Sequence, residues 1–185
     1  MELFTLPYNF YVLRIKMSIY RTHFLYIPIF FLIFSLSACK GKKPEQENQI
    51  GKAAPAFTLK DLNGTPYSLE NFRGKVVLLR FWATRCESCK VEMPKLENSY
   101  RRLLTSGLMV LAVNVEDPAD KAAEFANELR LTYPILIDGN KDVTKMYQVY
   151  GVPTSFVIDR KGIIRERVFG DLTEDAIERM VSPLL

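Results

Sequence analysis

Residues Lys75 to Trp82 (KVVLLRFW) lead, after three residues, into Cys86-Glu87-Ser88-Cys89 and then into a helical pattern. The run is almost continuously apolar and rich in β-branched and aromatic side chains. That is the mark of a central strand covered on both faces, although Arg80 interrupts it. Met93, Leu96, Tyr100, Leu103 and Leu104 follow an i, i+3, i+7, i+10, i+11 spacing, which predicts a helix over 87–106 with one apolar face. Gly107 is its expected C-terminal cap. Pro94 cannot donate to the Lys90 carbonyl and predicts a kink. A buried strand that turns directly into a helix with two thiols in its first turn constrains fold and chemistry together.

The flanking sequence supplies the other elements. Pro55 to Leu59 is a short extended run, Asn63-Gly64 a hairpin turn, and Thr65 to Leu69 the returning strand. Leu108 to Val115 reads as a second buried strand. Asp117-Pro118 opens a helix, with Asp as cap and Pro at the first helical position, and Ala122, Phe125, Ala126 and Leu129 on its apolar side. Ile135 to Ile137 is a short strand, and 142–149 a short helix. Thr154 to Ile158 and Ile163 to Phe169 pair across the turn Asp159 to Gly162, and Thr173 caps a last amphipathic helix through Val181. The order is a hairpin, β-α-β-α-β, a hairpin and a helix. It implies an α/β fold: a central mixed sheet flanked by helices, parallel in the middle with an antiparallel edge, and an N-terminal β-hairpin extension.

The N-terminus is a different object. Ten of the chain's 22 aromatic residues fall in residues 1–39. Phe24 to Ala38 is a run of fifteen uncharged residues behind Arg21, shorter than the roughly 20 a spanning helix needs. Leu36-Ser37-Ala38-Cys39 looks like a bacterial lipobox, in which the signal is cut before a cysteine that then carries lipid. Residues 1–38 are therefore read as a signal peptide, with translation expected to start at Met17, and Cys39 as the lipidation site. An uncleaved membrane anchor is the alternative, and either exports the domain. Residues 39–54 hold few large apolar side chains and read as a flexible tether. The folded domain is expected over 55–185.

Composition narrows the function. Residues 40–185 carry a net charge of +2, too weak to argue for nucleic acid. The one histidine, His23, lies in the signal segment, so the domain lacks the means for Ser-His-Asp or Cys-His catalysis and for a histidine-ligated metal site. What remains is the Cys86/Cys89 pair. A helix start has unpaired N–H groups and a partial positive charge, which lowers a thiol pKa from about 8.5. Cys89, one turn on, is close enough to close a disulfide. Glu92 shares the helix face of Cys89, Met93 and Leu96. Spacing leaves two readings open for it: a buried acid that takes the Cys89 proton, or a carboxylate that reaches solvent at the helix edge.

Phe81 to Pro94 (FWATRCESCKVEMP) resembles the active-site segment of the TlpA/ResA-like thiol-disulfide oxidoreductases, a membrane-tethered branch of the thioredoxin superfamily. Gly151 to Asp159 (GVPTSFVID) is similar to the family's second signature. The Ala54–Gly64 hairpin and the Gly74-Lys75 strand entry also fit. The resemblance covers roughly residues 51–182 and implies a thioredoxin-like fold. It makes Cys86 the exposed nucleophile, Cys89 the resolving thiol and Glu92 a buried acid beside it. It makes Pro153 a cis-proline facing the disulfide, where the substrate backbone is held, with Val152, Thr154, Trp82 and Arg85 as its surroundings. Trp82 has a second reading as a core residue at the strand end. Arg85 and Ser88 stand where family members often have Trp and Pro. Arg85 should lower the Cys86 pKa, and Glu87 opposes it. No metal and no cofactor beyond the redox-active disulfide is implied. The implied partners are an exported protein disulfide or dithiol, a membrane electron donor that recharges the pair, and the membrane itself, on its extracytoplasmic side. In such a family the common role is reduction of particular exported proteins, such as apocytochrome c before haem attachment. Two other chemistries use the same residues. One is a peroxiredoxin-like thiol peroxidase, where Thr84 fits but Arg80 stands in place of the needed proline. The other is a Cys-x-x-Cys pair that binds Cu(I) or is purely structural.

Overall fold

The computed structural model of the chain describes residues 49–185. The signal peptide, the Met17 start, Cys39 and the tether up to residue 48 lie outside them. The described residues form seven strands, β1 (Thr58–Asp61), β2 (Pro66–Ser68), β3 (Val76–Trp82), β4 (Leu108–Asn114), β5 (Ile135–Ile137), β6 (Thr154–Ile158) and β7 (Ile164–Phe169). Four α-helices join them, α1 (Glu87–Leu103), α2 (Ala119–Glu128), α3 (Asp142–Met146) and α4 (Glu174–Val181). The strands make one sheet in the order β2-β1-β5-β4-β3-β6-β7. β3, β4 and β5 run parallel, and every other pairing is antiparallel. The expected α/β architecture is present, with the hairpin extension joined to the sheet through β1 and β5.

β3 is the central strand, and all seven of its residues are buried. Side chains alternate across a strand. Val76, Leu78 and Trp82 join the core that includes Met93 and Leu96 of α1, Phe125 of α2 and Ile177 of α4. Val77, Leu79 and Phe81 join the opposite core with Val143, Tyr147, Phe156 and Phe57. α1 buries Cys89, Glu92, Met93, Leu96 and Tyr100, the face its spacing predicts. Thr173 caps α4 as expected, its hydroxyl accepting from the Ala176 amide at 3.2 Å.

Several boundaries differ from the sequence reading. β1 covers Thr58–Asp61 instead of Pro55 to Leu59, and α1 ends at Leu103 with Leu104 as its C-cap, short of 106 and of the expected cap Gly107. The last part of the expected tether is paired: Gly51 donates to the Ile164 carbonyl at 2.8 Å and Ala54 to the Gly162 carbonyl at 2.9 Å. Main-chain groups make this attachment, so side-chain hydropathy gives no sign of it. α3 stops at Met146, short of 149, where Gln148 turns the chain with φ 51°. Asp117 does not cap α2. Pro118 occupies the cap position without a side-chain bond, and Asp117 turns to the active-site loop.

Candidate active site

The loop leaving β3 carries Ala83, Thr84 and Arg85 to Cys86, which is the N-cap of α1. Cys86 and Cys89 are joined, with S–S 2.08 Å and Cα–Cα 5.2 Å. The Cys86 sulfur accepts the Cys89 amide at 3.2 Å. The sulfur therefore sits where the helix start offers an N–H and partial positive charge, the arrangement that favours a thiolate once the bond is reduced. Cys86 retains 8% exposure and Cys89 none, so Cys86 is the sulfur an incoming partner reaches.

Glu92 lies one turn beyond Cys89, 4% exposed, facing the core. It pairs with the buried Arg80 guanidinium and accepts the Leu172 amide. Burial pushes its carboxyl above the ordinary glutamate value, while Arg80 and the Leu172 amide oppose that push without cancelling it. The carboxyl is therefore buried and does not reach solvent at the helix edge.

At the same end of the sheet, Thr154 of β6 pairs with Phe81 of β3, and Pro153 stands just before it with a cis peptide bond after Val152. Val152 packs against both cores, and one of these contains Cys86 and Cys89. The remaining sequence candidates are placed differently. Trp82 is fully buried against Phe125, ring centroids 4.9 Å apart, so it is a core residue and offers no surface to a substrate. Thr154 is buried as well. Its hydroxyl donates to the Gly151 carbonyl at 2.6 Å and shapes the Pro153 loop from within. Arg85 is exposed and pairs with Glu116, which also accepts Lys141 Nζ at 3.2 Å. Glu116 thus compensates the charge expected to act on Cys86.

Sequence reasoning missed four residues. In the hydropathy pattern Arg80 is only an interruption of β3. Tyr150 and Phe169 are 73% and 54% exposed, Tyr150 three residues before Pro153 and Phe169 opposite Thr154 across β6 and β7. By propensity Asp117 is a helix cap. It accepts the Thr84 amide at 2.7 Å, the Thr84 hydroxyl at 2.6 Å and Asn114 Nδ2 at 2.7 Å, fixing the loop ahead of Cys86. Burial pushes this carboxyl up, but the bonds from Thr84 and Asn114 outweigh it and hold the pKa below the ordinary aspartate value. Its contribution to stability is therefore full above about pH 4 and is lost as pH falls through the lower folded value. Asp117→Ala should cost about 1–3 kcal/mol at pH 7, with the difference from the parent shrinking towards pH 3. Urea melts at both pH values check this, and a constant difference would contradict it.

The AhpC/TSA family model matches residues 50–167. The thiol-disulfide oxidoreductase ResA of Geobacillus kaustophilus is 40% identical over 130 residues, 70% of this chain and 75% of that protein. The thioredoxin domain of a thiol-disulfide oxidoreductase from Bacteroides vulgatus superposes with TM-score 0.66 at 28% identity, covering 72% of this chain and 96% of that one. StoA from Bacillus subtilis superposes with TM-score 0.61 at 27% identity, covering 69% and 97%. With a dithiol pair at the head of α1, a buried acid one turn on and a cis-proline at the same end of the sheet, the chain belongs to the AhpC/TSA family and, within it, to the ResA-like thiol-disulfide oxidoreductases.

Proposed function

We propose that the chain is an extracytoplasmic, membrane-tethered thiol-disulfide oxidoreductase that reduces disulfides of exported proteins, cytochrome c precursors among them. The observation that carries the reading is the Cys86 sulfur at the N-cap of α1, bonded to Cys89 and accepting its amide. In the reduced protein the Cys86 thiolate attacks one sulfur of a substrate disulfide. A mixed disulfide forms, and the other substrate sulfur leaves with the electron pair and takes a proton. Cys89 then gives its proton to the Glu92 carboxylate and attacks the Cys86 sulfur. The Cys86–Cys89 bond forms as the Cys86–substrate bond breaks, and the second substrate sulfur leaves as thiolate. The protein ends oxidised by two electrons and the substrate reduced by two.

Pro153 and Val152 hold the substrate backbone beside Cys86, and the exposed Tyr150 and Phe169 give it apolar footing. Arg85, on the loop ahead of Cys86, meets the substrate at the rim. A reductase in an oxidising compartment must be recharged, which requires a membrane electron donor. Export rests on the Phe24–Cys39 segment, with lipid on Cys39 as the anchor. No helix among the described residues is long and apolar enough to cross a membrane. No metal and no further cofactor enters the scheme.

Cys89→Ser tests the order of events. The variant should accumulate a mixed disulfide between Cys86 and a substrate peptide, stable to isolation and absent from the parent at equal times. Mass spectrometry reads it. Trapping on residue 89 in the converse Cys86→Ser protein, with none in Cys89→Ser, would reverse the roles.

A further inference from the structure

Position 80 falls on the face of β3 that looks towards α1, between Leu78 and Trp82. An apolar residue would fit there. The chain instead buries a guanidinium to 1% exposure and surrounds it with partners. Nη2 pairs with Glu92. Nη1 donates to Ser155 Oγ at 2.9 Å and to the Gly170 carbonyl at 3.3 Å. Ser155 is the residue directly across from Arg80 in β6, two positions after Pro153. Gly170 in turn donates its amide to the Pro153 carbonyl at 2.9 Å. Glu92 completes the set by accepting the Leu172 amide with its other oxygen. Each carboxylate oxygen has two lone pairs, so both remain able to accept from a thiol.

Such a site is a poor way to gain stability, because replacing a buried ion pair by apolar residues is often neutral or favourable. It does fix one carboxylate in orientation and charge. Resting on the reading of Glu92 as the proton acceptor, we propose that Arg80 is the positioning residue of the exchange reaction: it holds Glu92 as an aimed carboxylate one turn from Cys89 and ties it to β6, the strand that directly follows Pro153. Other groups face Glu92 from the packed elements. Asp171, ahead of α4, adds like charge, and Lys95 on α1 adds opposite charge. Tyr133 stays a neutral phenol, pushed far above its usual pKa by burial, and its hydroxyl donates to the Met93 carbonyl at 3.3 Å. Arg80 is the cation bonded directly to the carboxylate, so its removal leaves the desolvation of Glu92 opposed chiefly by one amide.

The test follows two readouts against pH in the full chain. One is the single-turnover rate at which Cys89 releases 5-thio-2-nitrobenzoate from its mixed disulfide on Cys86. The other is the Glu92 carboxyl carbon resonance, assigned by its loss in Glu92→Gln. In Arg80→Met both midpoints should rise together by at least one pH unit, roughly a tenfold loss of rate at pH values below them. Arg80→Lys should keep both near the parent. The double variant Arg80→Met/Glu92→Gln should follow Glu92→Gln with no further shift. It leaves no lone buried charge, so it and Arg80→Lys carry the test if Arg80→Met fails to fold. An unmoved Glu92 resonance in Arg80→Met, or Arg80→Lys shifted as far as Met would be, overturns the role of Arg80 alone. A release profile unchanged by Glu92→Gln itself removes the acceptor, and with it both readings.

Discussion

Cys86→Ser is expected to lose dithiol-disulfide exchange by roughly 10³-fold or more, down to the rate of buffer, because a serine hydroxyl is not ionised near neutral pH and serine cannot form the mixed disulfide. The fold should survive. Cys86 lies at the mouth of the site, and the hydroxyl can still accept the Cys89 amide as an N-cap. Far-ultraviolet circular dichroism checks the fold, and an insulin-reduction assay with a supplied dithiol reads the activity. Retained turnover would end the mechanism. A second variant, Cys89→Ser, separates exchange from a peroxidase. A thiol peroxidase at Cys86 would consume peroxide in the Cys89→Ser protein at the first-turnover rate of the parent, whereas exchange predicts that this variant stops at the mixed disulfide.

Glu92→Ala is expected to destabilise the domain by about 3–5 kcal/mol, because it leaves the Arg80 guanidinium buried without its counter-charge. Arg80→Met/Glu92→Leu should fall within roughly 1–2 kcal/mol of the parent, on either side, since it removes both charges and fills the space. Urea titration of the parent, Arg80→Met, Glu92→Leu and the double variant gives the coupling energy. Near-additive losses would mean that the pair is not one unit. The pH dependence has a definite sign. The folded Glu92 pKa is raised, so its stabilising contribution is complete below the unfolded value near 4.3 and is lost as pH rises through the folded value. Protonation of Asp117 therefore lowers stability as pH falls, whereas protonation of Glu92 raises it.

Much of this architecture follows from periodicity. The apolar run of β3, the i, i+3, i+7 spacing of α1 and the turn residues of both hairpins predict the elements nearly where they lie. The two thiols at a helix start follow from order alone. Spacing leaves Glu92 undecided because Arg80, its partner, is twelve residues away on another element. Read together, the two positions are suggestive: β3 alternation puts residue 80 on the α1 face, and α1 spacing puts residue 92 on the β3 face. A charge at each of two facing core positions is a pair that only the packing joins. Asp117 misled for a local reason. Asp before Pro is a good cap by propensity, but three donors from Thr84 and Asn114 offer the carboxylate more than one helix amide does. Trp82 and Thr154 belong to motifs that look like surface recognition, yet both sit at strand positions whose side chains point inward.

The most direct test is a stoichiometry. One equivalent of reduced protein, mixed with a peptide that carries a single disulfide, should convert one equivalent of that peptide to dithiol. The protein should gain a Cys86–Cys89 bond, located by peptide mapping, and the burst rate should follow ionisation of Cys86 with an apparent pKa below that of a free cysteine near 8.5. Peptide left oxidised while the protein stays reduced, or a burst that titrates at or above the free-cysteine value, would contradict a nucleophile activated at the head of α1.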